Sequence, residues 1–348
     1  MIKSIPALIL LMILSFSNQA QNDQHAYRIV CVGFYNLENL FDTIDDPKKN
    51  DDAFTPGGAN AWTGSRFREK IANLARVISE LGTDITPDGA AILGLSEVEN
   101  DHVVRELIQT PELIDRNYKV IHRESPDYRG IDNALIYQPK YFQPLNIKTY
   151  TLTIPGLDNF KTRDQLLVSG ILDQDTVHIL VNHWPSRRGG EARSMPRRIA
   201  AAQLSRHIVD SLQQMQSGAK IIIMGDLNDD PKDPSIKKHL NVKGERQDLN
   251  PGDLYNPYER MHETGIGTLA YRDVWNLFDM IILSESLSGE EMDNYTLFKP
   301  FVYKKDYLIQ KNGRYKGYPL RTFGGGVYLS GYSDHFPVYV LLIKKVGD

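Results

Sequence analysis

The chain contains very little cysteine. Its 348 residues include a single one, Cys31, within the apolar run 28–36. An intrachain disulfide is therefore excluded, and the surroundings of Cys31 predict a thiol buried in a strand.

The chain also lacks an excess of basic residues. Its formal net charge is −4, whereas proteins that bind nucleic acid irrespective of sequence usually carry a basic balance. Any contact with a polyanion must therefore depend on a local cluster of cations.

Long apolar runs are missing apart from one near the start. Lys3 is followed by the apolar stretch 5–16 and then by small and polar residues up to Ala20. This pattern predicts a secretory signal peptide, residues 1–20, cleaved after Ala20. A membrane anchor is the alternative, but a full span needs roughly 20 apolar residues. We expect residues 21–348 to be exported to the periplasm or the extracellular space, without a transmembrane segment.

The remaining chain shows no low-complexity tract or repeat, and 41% of all residues are hydrophobic, enough for a sizeable core. Apolar runs predict strands, which alternate with helical stretches along the chain and in places follow one another directly. This order favours mixed sheets covered by helices in one domain, 21–348. The predicted strands lie at about 28–36, 90–99, 118–122, 133–138, 141–152, 165–172, 176–184, within 219–231, and at about 279–284 and 336–343.

Three stretches show signals of helices. Apolar residues in 66–82 recur at helical spacing, which predicts a helix with Ser65 as its N-cap and Gly82 as its stop. Asn100 is the predicted cap of a short second helix. Pro196 is expected in the first turn of a third helix, where a missing N–H costs nothing.

Polar side chains follow the ends of several predicted strands. Taken singly, each is typical of a turn, a cap or a satisfied structural residue. Together they offer the oxygen ligands that Mg²⁺ prefers, whereas zinc favours clusters of Cys and His. They also offer groups that can activate water and protonate a leaving oxygen. These residues are Asn36, Glu97, His183, Asp226 with Asn228, and Asp334 with His335.

With Asp279 added, this ordered set resembles the endonuclease/exonuclease/phosphatase superfamily from about Tyr27 to Lys345. That superfamily includes pancreatic deoxyribonuclease, abasic-site endonucleases, secreted bacterial nucleases, sphingomyelinases and inositol-polyphosphate 5-phosphatases. The short strings "GDLN" and "SDH" are weak alone but specific in this order, with "SEVE" upstream. The resemblance implies an α/β fold, a four-layer sandwich of two packed mixed β-sheets flanked by helices.

The resemblance also implies a metal site. Glu97 would be the principal Mg²⁺ ligand, with Asn36 and Asp334 nearby, directly or through water. Mn²⁺ is expected to substitute for Mg²⁺.

The catalytic roles follow from the same resemblance. Asp226, helped by Asn228, would orient or deprotonate the attacking water. His335 would contact a phosphoryl oxygen and be held by Asp279. His183 would contact the phosphate from the other side and serve the leaving oxygen.

Two further stretches suggest substrate contacts. The stretch "DYRGIDNALIYQ" lies where the resemblance implies a second set of groups that bind phosphate and orient a histidine. Asp132 would set the tautomer of His183 and Arg129 would bind phosphate, the alternative being a turn that leads into a strand. In "NHWPSRRGG", Arg187 and Arg188 are expected to face an anionic substrate, the alternative being a solvated helix face.

The sequence therefore predicts a secreted Mg²⁺-dependent phosphodiesterase that acts on DNA or RNA. A phosphatase or phosphodiesterase for small or lipid phosphates is the alternative. The aromatic and basic stretch 295–309 keeps that alternative open, although its rings would equally suit base stacking or core packing. A binding protein without catalysis is a third reading, against which every expected chemical position is filled. We expect a monomer whose partner is nucleic acid or another phosphoester, without a stable protein partner.

Overall fold

The computed structural model describes residues 26–346, so the predicted signal peptide at 1–20 lies outside the described residues. Within that range no helix combines the length and the apolar character needed to cross a bilayer.

Residues 26–346 form seventeen strands, which include every strand predicted above. The short strands between 242 and 276 and the three strands between 296 and 328 were not predicted. In chain order the strands are β1 Ala26–Leu40, β2 Ala90–Val98, β3 Lys119–His122, β4 Asp132–Tyr137, β5 Phe142–Tyr150, β6 Gln165–Leu172, β7 Asp175–His183, β8 Lys220–Asp226, β9 Val242–Lys243, β10 Leu254–Tyr255, β11 Leu269–Tyr271, β12 Val274–Asn276, β13 Asp279–Ser284, β14 Thr296–Val302, β15 Phe323–Gly324, β16 Val327–Tyr328 and β17 Val338–Val346.

The same residues contain four α-helices and one π-helical segment. The α-helices are α1 Gly64–Glu80, α2 Asp101–Ile108, α3 Glu191–Met215 and α4 Glu259–Glu263, and the π-helical segment is Ser235–Leu240.

Two of the three predicted helix starts are wrong. Helix α1 is capped by Thr63 and not by Ser65, because Thr63 is extended and its side chain accepts the N–H of Arg66. Pro196 lies inside α3, since the chain turns at Gly190 with φ of 107° and the helix begins directly after it. Asn100 caps α2 as predicted, accepting the N–H of Val103.

The long strands build two mixed sheets. Sheet 1 has the order β14-β17-β1-β2-β4-β3, and sheet 2 has the order β5-β6-β7-β8-β13-β10-β9. The pairs β1–β2 and β7–β8 are parallel, whereas β17 runs antiparallel to β1 and β13 runs antiparallel to β8.

Alternation along β1 shows how the layers pack. Val30, Val32 and Phe34 enter the core between the sheets, while Cys31 and Tyr35 face the layer that contains α1 and α2. Helix α3 covers sheet 2, where the backbone carbonyl of Ala201 accepts a hydrogen bond from Gln165 at 2.9 Å. The predicted four-layer α/β sandwich is therefore confirmed, and Cys31 is a free, buried thiol.

The aromatic stretch 295–309 packs within the fold. Strand β14 pairs with β17 at the edge of sheet 1. The hydroxyls of Tyr303 and Tyr307 donate to the carboxylate of Glu80 in α1, at 2.5 and 2.9 Å. These contacts favour core packing for this stretch over base stacking or a role with lipid phosphates.

Gly94 of β2 tests how closely the two sheets approach each other. A Cβ at this position would lie 2.4 Å from Met224 Sδ in β8. We expect Gly94→Ala to lower the free energy of unfolding by about 1–3 kcal/mol, the usual cost of overpacking a core. Gly57→Ala is the control, because a Cβ there meets nothing within 4 Å. Urea unfolding of the two variants should separate them, and equal stability would contradict this packing.

Candidate active site

The site lies at one edge of sheet 2, where the ends of β7 and β8 meet the start of β13. His183 and Asp226 are the last residues of the parallel strands β7 and β8 and are register partners. Asp279 begins the antiparallel strand β13 and is also paired with Asp226. Strand pairing alone therefore brings three residues, distant in sequence, to one edge.

Sheet 1 contributes the opposite wall in the same way. Asn36 lies in β1 and Glu97 in the parallel strand β2, while Asp334 and His335 lie in the loop shortly before β17. The two walls touch through Asn36, whose Nδ2 donates to Asp226 Oδ2 at 3.1 Å.

Asp226 is the centre of the site. Its Oδ2 lies 3.4 Å from His183 Nε2 and 3.9 Å from His335 Nε2, and its Oδ1 accepts the N–H of Asn228 at 3.0 Å. Burial is the main cause that raises the pKa of Asp226 to about 7, with Asp279 adding to it against the effect of His335. A carboxylate with such a pKa suits proton exchange near neutral pH.

His335 is held by Asp279, as predicted. Its Nδ1 lies 2.7 Å from Asp279 Oδ2, which also accepts the hydroxyl of Thr268 at 2.5 Å. Burial lowers the pKa of His335, but the carboxylates of Asp279 and Asp226 outweigh burial and hold this pKa well above its usual range. The ring is therefore protonated at neutral pH, with Nε2 on the side of Asp226.

His183 has the opposite character. Burial, followed by the charges of Arg163 and Arg129, holds its pKa well below the usual range, so the ring is neutral. Its Nε2 lies 3.9 Å from Glu97 Oε1. Its buried Nδ1 has no hydrogen-bond partner among residues 26–346.

Asp132 does not contact His183, and that prediction is wrong. Its Oδ2 lies 3.0 Å from His122 Nε2, and its Oδ1 accepts the backbone N–H of Ser125 at 2.9 Å. The reason is register: Asp132 pairs with Val98 inside sheet 1, so its carboxylate serves the neighbouring strand β3.

Sequence reasoning missed Arg163, a buried cation whose charge contributes to lowering the pKa of His183. Its guanidinium donates to the carbonyl of Trp184 at 2.6 Å and to Asp127 Oδ2 at 3.3 Å. An arginine directly before an apolar strand was the only local signal. Arg129 lies in the same area, with Nε 3.9 Å from Asp127 Oδ1, and stays a candidate for phosphate binding.

Hard oxygen atoms suited to a divalent cation line the space between the walls. Glu97 Oε2 accepts the N–H of Asn39, and its Oε1 makes no hydrogen bond with the described residues. Asp334 uses Oδ2 to accept from Arg321 at 2.8 Å, leaving Oδ1 on the side of His335. Asn36 Oδ1 accepts the N–H of Glu38 and has a second lone pair. The donor set fits Mg²⁺ or Mn²⁺ better than zinc.

A second group of possible ligands lies close by. The ligand atoms of Asp226, Asp279 and His335 lie within 4.8 Å of one another. Because His335 Nδ1 and Asp279 are already paired, this group is better suited to moving protons than to holding a metal ion.

A buried charge network supports Asp334 and was not predicted. Glu38 accepts from Arg321 Nε at 3.2 Å and from the N–H of Thr322 at 2.6 Å, and Lys70 Nζ lies 3.8 Å from it. Burial lowers the pKa of Lys70 to about 8. A lysine within the apolar stripe of α1 was the signal, since such a charge is seldom buried without a partner.

Arg187 and Arg188 differ in their surroundings. Arg187 donates to Asp233 at 2.6 Å and to Asp229 at 3.2 Å, so carboxylates already engage its guanidinium. It lines the same open cavity as Arg188, and its contact with substrate stays a prediction. The prediction considered the local run of arginines but not the acids of 229–233, which the fold brings beside them. Arg188 donates to Tyr128 at 2.7 Å and lines an open cavity, so it stays a candidate.

Comparisons with known proteins identify the family and the fold of this chain. A sequence model described as "Endonuclease/Exonuclease/phosphatase family" matches residues 31–344. No curated protein sequence matches the chain.

Several solved structures share the fold. D. rerio TDP2 complexed with a single-strand DNA product has a TM-score of 0.54 and 12% identity, covering 90% of this chain and 98% of that one. A Bacteroides thetaiotaomicron mannosyl-6-phosphatase has a TM-score of 0.54 and 16% identity, over 90% and 99% of the respective chains. ANGEL2, a 2',3'-cyclic phosphatase, has a TM-score of 0.58 and 15% identity, over 92% and 98%.

The His335–Asp279 pair can be tested with a small phosphodiester, bis-nitrophenyl phosphate. We expect His335→Ala to lower kcat by about 100-fold or more, the range for acid–base and oxyanion groups. Asp279→Asn should lower kcat less, because its carboxylate acts through the ring. Loss of that charge lowers the pKa of His335, so the alkaline limb of the pH–rate profile should move to lower pH. His207→Ala, at an exposed position on α3, is the control; wild-type rates in His335→Ala would refute the assignment.

Proposed function

This chain belongs to the endonuclease/exonuclease/phosphatase family and is a metal-dependent phosphoesterase, and from that premise we propose that it is a Mg²⁺-dependent phosphodiesterase of DNA or RNA. The observation that carries this proposal is the space on both sides of the hairpin β11–β12. One side holds a cavity of about 750 Å³ lined by Arg188, and the other a cavity of about 340 Å³ that reaches Asp334. Space on two sides suits a substrate that continues beyond the scissile bond.

The residues of the site suit hydrolysis by water. Asp226, whose pKa is near neutrality, would accept the proton of the attacking water, with Asn228 holding the carboxylate. His335 is protonated and would donate a hydrogen bond to a phosphoryl oxygen. His183 is neutral and would contact the leaving side of the phosphate.

We assign metal binding to the carboxylate and amide oxygens that line the space between the two walls. Glu97 and Asp334 would hold the cation, with Asn36 taking part directly or through water. When bound, a divalent cation neutralises charge on the phosphoryl oxygens. The protein side chains supply the proton acceptor and the hydrogen bonds.

The neighbouring structures support both the proposal and its alternative. The TDP2 structure contains a single-strand DNA product, in line with a polynucleotide substrate. The mannosyl-6-phosphatase shows the same fold in an enzyme named for a phosphomonoester. A panel with Mg²⁺ decides between them: plasmid, single-stranded DNA, RNA, a sugar 6-phosphate, inositol phosphates, sphingomyelin and bis-nitrophenyl phosphate. Absence of turnover on the whole panel would favour a binding protein.

Glu97→Gln tests the metal site. We expect chelation to abolish turnover of wild-type protein and Mg²⁺ or Mn²⁺ to restore it, because the donor set is oxygen. Glu97→Gln should weaken Mn²⁺ binding, measured by calorimetry, together with the rate. Glu99→Gln is the matched control two residues away, since Glu99 accepts the N–H of Asp42 outside the site. Full activity after exhaustive chelation would refute the metal assignment.

We also propose that the protein is exported, on the evidence of the apolar stretch 5–16 and the small residues before Gln21. Expression of the full chain in a bacterial host should yield a periplasmic or extracellular product that begins near Gln21. N-terminal sequencing and intact-mass measurement would check this. A membrane-bound product that retains Met1 would contradict cleavage.

A further inference from the structure

A pocket of about 340 Å³ lies between the hairpin β11–β12 and the segment 314–321. It reaches the site at Asp334, one of the proposed metal ligands. Its size falls in the range of small-molecule pockets, about 300–1,000 Å³. We call it the tyrosine–arginine pocket, and its defining residues are Tyr271, Arg272, Arg314, Tyr315, Tyr318 and Arg321.

The charges of this pocket favour an anion. Arg321 is already engaged by Glu38 and Asp334. Arg272 and Arg314 stack against tyrosine rings, at 5.2 Å from Tyr271 and 5.9 Å from Tyr315. Neither of these two guanidinium groups forms an ion pair or a side-chain hydrogen bond with residues 26–346. Their donors are therefore available to a phosphate, which arginine binds through two parallel hydrogen bonds.

The aromatic rings favour a planar group in the same pocket. Tyr271 is 63% exposed and Tyr315 is 39% exposed. Tyr318 exchanges two hydrogen bonds of 2.6 Å with Asp273 at the tip of the hairpin. These bonds join the hairpin to the segment 314–321, and both residues line the pocket. A nucleic-acid base can stack on such a ring whatever the base sequence, because every base has a π-face.

Resting on the proposed function, we propose that the tyrosine–arginine pocket binds the nucleotide next to the scissile phosphate. Arg272 and Arg314 bind its phosphate, and Tyr271 or Tyr315 stacks on its base. The subsite lies on the Asp334 side of the reaction centre. Arg272 also lines the larger cavity, beside Arg187 and Arg188. Those two arginines are less available, because Arg187 is bound to carboxylates and Arg188 to Tyr128.

The test compares long and short substrates in the double variant Arg272→Ala/Arg314→Ala. With a single-stranded oligothymidylate and Mg²⁺, we expect KM to rise about tenfold or more, since one hydrogen bond to a charged group is worth about that factor. The slope of log KM against log salt should fall by about 0.7 for each phosphate that the variant no longer binds. The rate with bis-nitrophenyl phosphate, which has no flanking nucleotide, should not change.

Two further variants complete the test. Tyr315→Ala should raise KM for the oligothymidylate without changing the salt slope, because stacking carries no charge. Arg28→Ala is the control, because Arg28 lies at the far end of β1, eight residues and about 26 Å from Asn36. Its exposed ion pair with Asp173 contributes little to stability.

The outcomes separate this inference from the proposed function. If wild-type protein cleaves the oligothymidylate and the double variant matches it, the subsite is wrong and the function stands. If the double variant cleaves both substrates less efficiently by the same factor, the arginines bind the scissile phosphate, and the subsite is again wrong. If wild-type protein hydrolyses bis-nitrophenyl phosphate but no polynucleotide, the proposed function fails and the subsite fails with it.

Discussion

The hydrogen bond from Asn36 to Asp226 joins the two sheets at the edge where the site lies, and the other contacts of the site depend on it. Both side chains are buried, one from β1 and one from β8, and their 3.1 Å separation requires the strand ends to coincide. A buried polar group without a partner is costly, so the alignment is strongly specified. The two sheets also approach closely at Gly94, where the absence of a side chain leaves room for Met224 of β8.

Strained backbone positions direct the side chains into the space between the sheets. Glu38, Asn39, Glu97 and Asn228 all have φ between 49° and 59°, in the left-handed region. Such conformations cost on the order of 1–3 kcal/mol each and persist only where the surroundings hold them. Here hydrogen bonds do so: Asn39 donates to Glu97, and Asn228 donates to the carbonyl of Trp184 at 3.0 Å. These four are among the twelve non-glycine residues with positive φ in the part of the chain that the structure describes.

The two histidines acquire opposite charge states from their surroundings. His335 has two carboxylates for neighbours and is protonated, whereas His183 has Arg163 and Arg129 nearby and is neutral. Both rings are buried, so desolvation acts on each in the same direction and the neighbouring charges decide. Titratable groups whose pKa values are pushed apart in this way are typical of acid–base sites.

The family resemblance implied the four-layer sandwich. The sequence by itself determined the helix-covered mixed sheets, the long strands and the positions of the polar residues at the strand ends. These features follow from local patterns, because a continuous apolar run indicates a strand buried on both faces and an alternating pattern indicates a strand buried on one face. Only the tertiary structure decided which charged groups meet. Glu38 and Arg321 are 283 positions apart, Asp132 pairs with His122 and not with His183, and Arg187 meets the acids after β8. Sheet register and the packing of one layer on another determine the hydrogen-bond partner of a side chain, and neither can be inferred from the residues adjacent in sequence.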